Sequence, residues 1–385
     1  MNNRKLIKII VVFGTRPEAI KMFPLINHFK SEYEYFDVKV CITAQHRQML
    51  DQVLNFFEIQ PDIDLNIMKN QQDLNLLTST ILNKMKKVLT QHKPDLVLIH
   101  GDTTTAMATA IASFYEKCPV GHVEAGLRTF NLDSPFPEEF NRQLVSKIAK
   151  YHFAPTLLNK NNLISEGIIS SNIKVTGNTV VDALDWTLKK IDSVLTIRNK
   201  IERELESILS FNYKKDRFIL ITGHRRENFG YGFVQICEAI RELALLYPNL
   251  YFVYPVHLNP NVQKPVNEIL GVVKNILLIK PLNYEVFAYI MKYSYLIITD
   301  SGGIQEEGPS LGKPVLVMRN LTERQEAVKA GTVRLIGNEK KKIIFNVSSL
   351  LDNIDIYNQM SKTSNPYGDG DASIRIISFL KSIYF

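Results

Sequence analysis

Short apolar runs alternate with amphipathic helical patterns along almost the whole chain, and this rhythm constrains the fold more than any other feature. The strand-like runs include Ile7–Phe13 and Leu96–His100 in the first half and Phe218–Thr222 and Leu296–Thr299 in the second. Helical patterns such as Thr104–Tyr115 lie between such runs. Strands that alternate with helices form βαβ units, so we expect an α/β protein with parallel sheets and helices on both faces.

The chain is too long for a single ordinary hydrophobic core. Its 385 residues favour two domains, because single cores stop growing at about 250–300 residues. The polar stretch Asp182–Lys215 carries no strand pattern and separates the two halves. We therefore expect one Rossmann-like domain at residues 1–181 and a second at 182–366, facing each other across a cleft. A terminal helix within residues 367–385 is expected to pack back on the first domain.

Composition is typical of a soluble globular protein, with 45% hydrophobic and 22% charged residues. The first apolar run is too short to span a membrane, and no signal-peptide cleavage pattern follows it. Cys41, Cys118 and Cys237 lie far apart without metal-ligand spacing, and an odd number argues against a disulfide framework. These observations predict a cytoplasmic protein without a membrane partner.

The positive net charge of +7 raises the question of a nucleic-acid partner. The lysines are scattered, with small clusters only at Lys84–Lys87 and Lys340–Lys342, and no RNA-binding or helix-turn-helix pattern accompanies them. We therefore expect no nucleic-acid partner. A basic balance also suits an anionic small-molecule substrate.

The run Leu296–Thr299 leads into a tight polar turn, Asp300–Gly303, and then into a helix. The two glycines of the turn leave room for a ligand to approach main-chain N–H groups, and a helix N-terminus attracts anions such as phosphate. Glu307 lies one turn into this helix, where a carboxylate can accept hydrogen bonds from ribose hydroxyls. The dinucleotide fingerprint Gly-x-Gly-x-x-Gly is absent. An ordinary helix capped by Asp300 or Ser301 is the alternative.

The segment after the first strand-like run also has the features of a phosphate site. Pro17 suits the first turn of a helix, and Arg16 lies beside the N-terminus of that helix. An arginine there can bind phosphate through two parallel hydrogen bonds. A surface arginine paired with Glu18 is equally compatible with the local sequence.

Three carboxylates follow strand-like runs or a rigid loop in the first half. Asp102 and Glu124 each come at the end of a strand-like run, and Glu138 follows a proline-braced loop. Ligands bind at the carboxyl ends of parallel strands, so we expect the three to meet in one cleft. Their repulsion raises at least one pKa, as the removal of a carbon-bound proton near neutral pH requires. The alternatives are that Asp102 caps the next helix, that Glu124 pairs with Arg128, or that a metal binds, although no partner shows ligand spacing.

Two histidines follow strand-like runs in the second half. Phe218–Thr222 leads through Gly223 into His224, Arg225 and Arg226, and such a concentration of positive charge suits an anion or, alternatively, DNA. His257 follows the next run, although a lone loop histidine is more often structural than catalytic.

Taken together and in this order, these motifs resemble the bacterial non-hydrolysing UDP-N-acetylglucosamine 2-epimerases along essentially the whole chain. The resemblance implies a glycosyltransferase-B-like fold with its active site in the interdomain cleft, and usually a homodimer. The matching segments are Phe13–Lys21, His100–Thr105, Gly121–Arg128, Pro137–Glu139, Thr222–Glu227, Tyr254–Pro260, Asp300–Glu307 and Thr322–Arg324.

The family resemblance also implies a reaction. A base removes the C2 proton of UDP-N-acetylglucosamine while UDP leaves C1, which forms an enzyme-bound 2-acetamidoglucal. UDP then adds back as a proton returns to the opposite face, which gives UDP-N-acetylmannosamine for surface polysaccharide biosynthesis. No nicotinamide, metal or other cofactor is implied.

The positions that match the family's functional residues are either catalytic or contact the UDP-sugar. By resemblance, Asp102, Glu124, Glu138 and His224 are catalytic, and His224 and Arg16 offset charge on the departing UDP. At Leu282 the family commonly has glutamine, so only a main-chain contact is expected there. The remaining contacts to the UDP-sugar are expected from Lys21, Phe287, Ser301, Gly302, Gly303, Glu307 and Arg324.

Many bacterial members also bind UDP-N-acetylglucosamine as an allosteric activator beside the active site. Gln45, Gln48, Arg225 and His257 resemble parts of that second site. Gln71 stands at a position where the allosteric members of the family have arginine. The sequence therefore leaves open whether this protein depends on an activator.

Other functions remain compatible with these motifs. A retaining glycosyltransferase of the same fold would transfer the sugar to an acceptor, and a hydrolysing epimerase would release free N-acetylmannosamine. A nucleotide-sugar sensor would bind without turnover, and a modified UDP-sugar is an alternative substrate.

Overall fold

The chain folds into two compact units in the computed structural model, which describes residues 5–44, 47–68 and 73–385, with the backbone only at 47 and 48. The first unit comprises Met1–Ala183 together with Tyr367–Phe385, and the second comprises Leu184–Pro366. Each unit is built on one parallel sheet whose strands alternate with helices along the chain. The predicted α/β class is therefore confirmed.

The first unit contains seven strands within the described ranges, and every pair is parallel. Their bounds are β1 (Ile7–Phe13), β2 (Phe36–Ile42), β3 (Ile63–Asp64), β4 (Leu96–His100), β5 (Val120–Val123), β6 (Tyr151–Ala154) and β7 (Ile173–Val175). Across the sheet their order is β3-β2-β1-β4-β5-β6-β7. The order reverses between β1 and β4, and the carboxyl ends of strands at such a switch point are where ligands bind in open α/β sheets.

Helices connect these strands. In chain order they are α1 (Arg16–Ser31), α2 (Arg47–Phe56), α3 (Leu74–His92), α4 (Thr104–Tyr115), α5 (Glu138–Ile148) and α6 (Leu157–Ser165). Helix α7 (Thr179–Ser193) follows β7 and runs from the last residues of the first unit into the second. The start of α1 is fixed by a capping box, in which Thr15 accepts from the backbone of Glu18 and the Glu18 carboxylate accepts from the backbone of Thr15.

The second unit contains six strands among the residues described, again all parallel. They are β8 (Phe218–Thr222), β9 (Tyr251–Pro255), β10 (Ile276–Ile279), β11 (Leu296–Thr299), β12 (Val315–Val317) and β13 (Val333–Leu335), in the order β10-β9-β8-β11-β12-β13. The switch point of this sheet lies between β8 and β11. The helices are α8 (Leu195–Ile208), α9 (Tyr231–Leu246), α10 (Pro260–Leu270), α11 (Tyr284–Tyr293), α12 (Ile304–Ser310), α13 (Gln325–Ala330), α14 (Lys340–Asp352) and α15 (Ile354–Lys362).

The central strands read as continuous apolar runs because they are covered on both faces. All five residues of β4 and the first four residues of β8 are buried. In the first unit, Val97 and Ile99 of β4 belong to one apolar cluster with Ile81 and Met85 of α3. Each such side chain contributes about 1.5–3 kcal/mol when it leaves water.

The terminal helix α16 (Ala372–Tyr384) belongs to the first unit. The buried carboxylate of Asp182 accepts the backbone N–H groups of Ala372 at 3.2 Å and Ser373 at 2.8 Å, which satisfies the N-terminus of the helix. At the other end, the ring of Phe385 meets Tyr35 edge to face at 5.2 Å.

The structure differs from the sequence prediction mainly at the edges of the sheets. The edge strands β3 and β13 were not predicted. They have only two and three residues, which is too short for an apolar run or an apolar–polar alternation to be recognised in the sequence. Strand β2 begins at Phe36 rather than Val38. No helix in the described part of the chain is sufficiently long and apolar to cross a bilayer.

Candidate active site

In the first unit, the carboxyl ends of β1, β4 and β5 lie side by side. The segments that follow these strands carry Arg16, Asp102 and Glu124. Glu18 joins two of these segments, since its carboxylate accepts from the backbone of Gly14 at 3.0 Å and from the Thr103 hydroxyl at 2.6 Å. Burial raises the pKa of Glu18, and these hydrogen bonds oppose the rise. The alternative that Arg16 pairs with Glu18 is wrong, because Glu18 binds these loop groups instead, while Arg16 lies half-buried at the start of α1.

Glu124 is held by three groups from three other segments. The ammonium group of Lys21 forms an ion pair with Oε2, and both side chains are only 8% exposed. Asn178 donates from Nδ2 to the same oxygen at 2.7 Å, and Nε2 of His100 lies 3.8 Å away. The other oxygen, Oε1, lies 3.6 Å from the position that a Cβ on Gly101 would occupy. Lys21, expected to contact the substrate, therefore contacts this carboxylate in the structure.

The backbone of Glu124 has φ +64°, a left-handed conformation that is uncommon for a residue with a side chain. The alternative that Glu124 pairs with Arg128 is wrong. Arg128 instead binds both oxygens of Glu166, with Nε–Oε1 2.5 Å and Nη2–Oε2 2.9 Å. Strain at a position held by several partners is typical of functional sites.

Asp102 is tied to helix α5. Its Oδ2 forms an ion pair with Nη2 of Arg142, and its backbone carbonyl accepts from Nδ2 of Asn141 at 2.8 Å. The alternative that Asp102 caps the next helix is wrong, because the cap of α4 is Thr103, whose hydroxyl oxygen accepts from Ala106 N at 3.1 Å. The carboxylate is therefore positioned from α5 rather than from its own loop.

Glu138 is the first residue of α5 and is half-buried. Residues three and four positions apart share a helix face, so Glu138 lies on the same face as Asn141 and Arg142. Both of these residues contact Asp102. The neighbouring Glu139 is fully buried and accepts from the backbone of Thr129 at 3.0 Å, which anchors the start of the helix. Asp102 and Glu124 follow the adjacent strands β4 and β5, and Glu138 begins the helix whose Arg142 binds Asp102. We call these three residues the carboxylate cluster.

In the second unit, the loops after β8, β9 and β11 carry the predicted groups. The alternative that Asp300 or Ser301 caps α12 is wrong, since the cap residue is Gly303 and no side chain bonds there. Asp300 instead accepts the backbone N–H groups of His224 and Arg225, both at 2.9 Å. Ser301 donates its own N–H to the Thr299 hydroxyl at 2.9 Å.

His224 stacks on His257, with ring centroids 5.3 Å apart and an angle of 19° between the planes. Burial lowers the pKa of His224, the carboxylate of Asp300 raises it, and the charges of Arg225 and His257 lower it again. The two histidines predicted from separate loops therefore lie together at one edge of the sheet.

Arg324 lies against the glycine turn. A Cβ on Gly302 would come within 2.7 Å of Nη1 of Arg324, so only glycine leaves room for the guanidinium group. Nε of Arg324 donates to Glu306 at 2.8 Å, and Nη1 contacts Glu323. Arg324 therefore places a guanidinium group beside the turn, paired with two buried carboxylates, at the start of a helix of only seven residues.

Glu307 and Phe287 lie around the same turn. The Glu307 side chain is buried and its Oε1 accepts from the Tyr284 hydroxyl at 2.9 Å. Phe287 is half-buried and follows Tyr284 by three positions, so both lie on one face of α11. Leu282, just before this helix, is buried.

The expected second site is described only in part. Arg225 and His257 lie beside His224, as above, whereas Gln45 and Gln71 lie outside the described residues. Gln48 belongs to α2, but its side chain also lies outside the described part. Within the ranges that the structure covers, no group of three or more His, Cys, Asp or Glu side chains has the geometry to hold a metal ion.

Known proteins resemble this chain along almost its whole length. The family of UDP-N-acetylglucosamine 2-epimerases matches residues 30–381. The UDP-N-acetylglucosamine 2-epimerase of Campylobacter jejuni is 55% identical over 373 residues, which are 97% of this chain and 97% of that protein.

Two solved structures extend the comparison to the fold. The crystal structure of UDP-GlcNAc 2-epimerase from Neisseria meningitidis, bound to UDP-GlcNAc, is 52% identical with a TM-score of 0.92 and covers 98% of this chain and 100% of that one. The Methanocaldococcus jannaschii UDP-GlcNAc 2-epimerase, in complex with UDP-GlcNAc and UDP, is 34% identical with a TM-score of 0.83 and covers 98% of this chain and 100% of that one. The glycosyltransferase-B-like fold expected from the resemblance is confirmed. The chain belongs to the UDP-N-acetylglucosamine 2-epimerase family.

Proposed function

We propose that the protein interconverts UDP-N-acetylglucosamine and UDP-N-acetylmannosamine by eliminating and re-adding UDP. The observation that carries this proposal is the carboxylate cluster, with Glu124 bound by Lys21 and Asp102 bound by Arg142. Membership of the family supports the substrate, because the Neisseria meningitidis relative was crystallised bound to UDP-GlcNAc.

The first step needs a base at C2 and a leaving group at C1. One carboxylate of the cluster takes the C2 proton, the C–H electrons form the C1–C2 double bond, and the C1–O bond breaks with its electrons going to UDP. In the second step a proton returns to C2 on the opposite face while the UDP oxygen attacks C1. Two faces require at least two acid–base groups, which a cluster of three carboxylates supplies.

The loops of the second unit are assigned to UDP. Ser301, Gly302 and Gly303 bring main-chain and hydroxyl groups to the diphosphate, and Arg324 supplies positive charge. Glu307 is assigned to the ribose hydroxyls and Phe287 to the uracil ring. His224 and Arg16 offset the charge that develops on the departing diphosphate.

The scheme has no net oxidation and moves only protons and UDP, so it requires no nicotinamide or metal. We assign the protein to the cytoplasm as a homodimer, with a product that feeds surface polysaccharide biosynthesis. A second UDP-N-acetylglucosamine is proposed as activator beside Arg225 and His257, and Gln45 and Gln48 are assigned to the same site.

Product analysis separates this proposal from its rivals. Incubation with UDP-N-acetylglucosamine alone should yield a mixture of the two UDP-sugars without net loss of UDP-sugar. Release of free N-acetylmannosamine would indicate a hydrolysing enzyme, and net UDP release that depends on an added acceptor would indicate a glycosyltransferase. Binding without any new product would indicate a sensor.

A further inference from the structure

Asp300 joins the tips of two neighbouring strands. It is the first residue after β11, and its side chain is 0% exposed. Oδ2 accepts the backbone N–H groups of His224 and Arg225, so one oxygen holds the loop that follows β8. The two loops meet although they lie 76 residues apart, because β8 and β11 are paired with Thr299 opposite Thr222.

The second oxygen of Asp300 faces the imidazole ring of His224. Oδ1 lies 3.5 Å from Nδ1, and among the residues that the structure describes no hydrogen-bond donor reaches this buried oxygen. A buried carboxylate oxygen without a donor is costly. The usual N–H···O separation is about 2.9–3.0 Å, so a shift of roughly 0.5 Å by this ring, whose side chain is 38% exposed, would place Nδ1–H within hydrogen-bond distance of Oδ1.

We propose that Asp300 is the positioning residue of His224, accepting a hydrogen bond from Nδ1–H and thereby presenting Nε2 to the departing diphosphate. The inference rests on the proposed function, which gives His224 its catalytic role. In carboxylate–histidine pairs of this kind the carboxylate fixes the tautomer and orientation of the ring and stabilises the imidazolium form. The imidazolium form can then donate from Nε2 to the leaving oxygen of UDP.

The charges around His224 make this carboxylate decisive. Burial lowers the pKa of His224, and the carboxylate of Asp300, directly after β11, raises it. The charges of Arg225 and His257, in the loops after β8 and β9, lower it. Asp300 is the group within the described part that favours the imidazolium form. Without its charge, the imidazolium is lost at a lower pH, and the donor to the leaving group is lost with it.

A purely structural role for Asp300 has to be separated from this one. The side-chain oxygen of asparagine still accepts the two backbone N–H groups, whereas its amide group brings no charge to Nδ1. Asp300→Asn therefore removes the effect on the imidazole and keeps the loop. Asn228→Ala is the matched control, because Asn228 donates to Oδ2 of Asp300 at 3.4 Å and to Met318 O at 3.1 Å and makes no bond with the imidazole.

The test is NMR of ring-labelled histidines, with His224→Gln identifying the His224 signals among the eight histidines. In the wild type, the neutral ring should carry its proton on Nδ1. In Asp300→Asn the pKa of His224 should fall, kcat should fall by about 100-fold with KM little changed, and the alkaline limb of kcat should move to lower pH. Asn228→Ala should lower the melting temperature without moving the pKa of His224.

Two results would overturn the pairing. One is a wild-type ring that carries its neutral proton on Nε2, a measurement that needs no variant to fold. The other is a pKa of His224 that stays the same or rises in Asp300→Asn. If the wild type shows no epimerisation, the proposed function fails, while these NMR signals still decide whether Asp300 controls His224.

Discussion

Asn178 donates a hydrogen bond of 2.7 Å from Nδ2 to Oε2 of Glu124, a residue 54 positions earlier in the chain. The bond brings the segment after β7 onto the tip of β5, where Lys21 binds the same oxygen. Glu124 is thereby oriented by neutral and charged donors together, in a strained backbone conformation.

Asn178→Ala should lower kcat by about 10-fold, since the carboxylate keeps Lys21 but loses one of the groups that fix its orientation. UDP affinity should remain unchanged. Asn162→Ala is the matched control, because Asn162 donates to the carbonyl of Gly126 at 3.0 Å and makes no bond with the carboxylate cluster. Steady-state kinetics of the two variants provide the check, and equal kcat values in both would argue against the role of Asn178.

The three carboxylates should be separable from UDP binding. Asp102→Asn, Glu124→Gln and Glu138→Gln should each reduce kcat by about 10²–10⁴-fold, while UDP binding measured by calorimetry stays within about threefold of wild type. Asp133 is an exposed carboxylate in the loop before α5, and Asp133→Asn should keep wild-type kinetics. Wild-type turnover in all three cluster variants would contradict the assignment.

Buried histidines behind the carboxylate cluster should make stability depend on pH. His122 bonds through Nε2 to the carbonyl of Gly101 at 2.8 Å, and burial lowers its pKa from 6.5 to about 3. The unfolded chain therefore takes up a proton as pH falls below 6.5, whereas the folded protein does not until about 3. Stability should fall with pH across this window, by at most about 1.4 kcal/mol per pH unit for one histidine.

His122→Gln keeps a donor for Gly101 but cannot titrate, so its free energy of unfolding should depend less on pH between 6.5 and 4. His152 has its pKa lowered to about 4 by burial and should supply the remaining slope. Chemical denaturation at several pH values measures this, and an unchanged slope in His122→Gln would show that His122 does not contribute.

Gly302→Ala should weaken UDP binding by roughly 10–100-fold, the equivalent of one charge-assisted hydrogen bond. The added Cβ would lie 2.7 Å from Nη1 of Arg324 and would displace the guanidinium group from the turn. Calorimetric titration with UDP measures the effect. Wild-type affinity would mean that Arg324 is not a diphosphate ligand.

The fold could be predicted from the sequence because buried parallel strands leave continuous apolar runs. The bounds of β1, β4 and β8 match those expected from such runs, whereas the edge strands β3 and β13 are too short to leave a pattern. The residues at strand tips were predictable for the same reason, since Asp102 and Glu124 lie within two residues of the ends of apolar runs.

The partners of those residues could not be predicted. Arg142 pairs with Asp102 across 40 positions, and the one local signal was its place four residues after Glu138 on a helix. Asn178 and Asp300 carried no signal for their contacts, because these depend on which strands lie side by side. The alternative interpretation of Asp102 and Asp300 as helix caps was wrong because it considered only neighbours in the sequence.

The most direct test of the central claim is proton exchange at C2. When the protein is incubated with UDP-N-acetylglucosamine in deuterated water, mass spectrometry and proton NMR should show deuterium at C2 of both UDP-sugars. The Glu124→Gln variant should show at least about 100-fold slower incorporation. Folded wild-type protein that binds UDP-N-acetylglucosamine yet leaves the C2 proton in place would contradict the account.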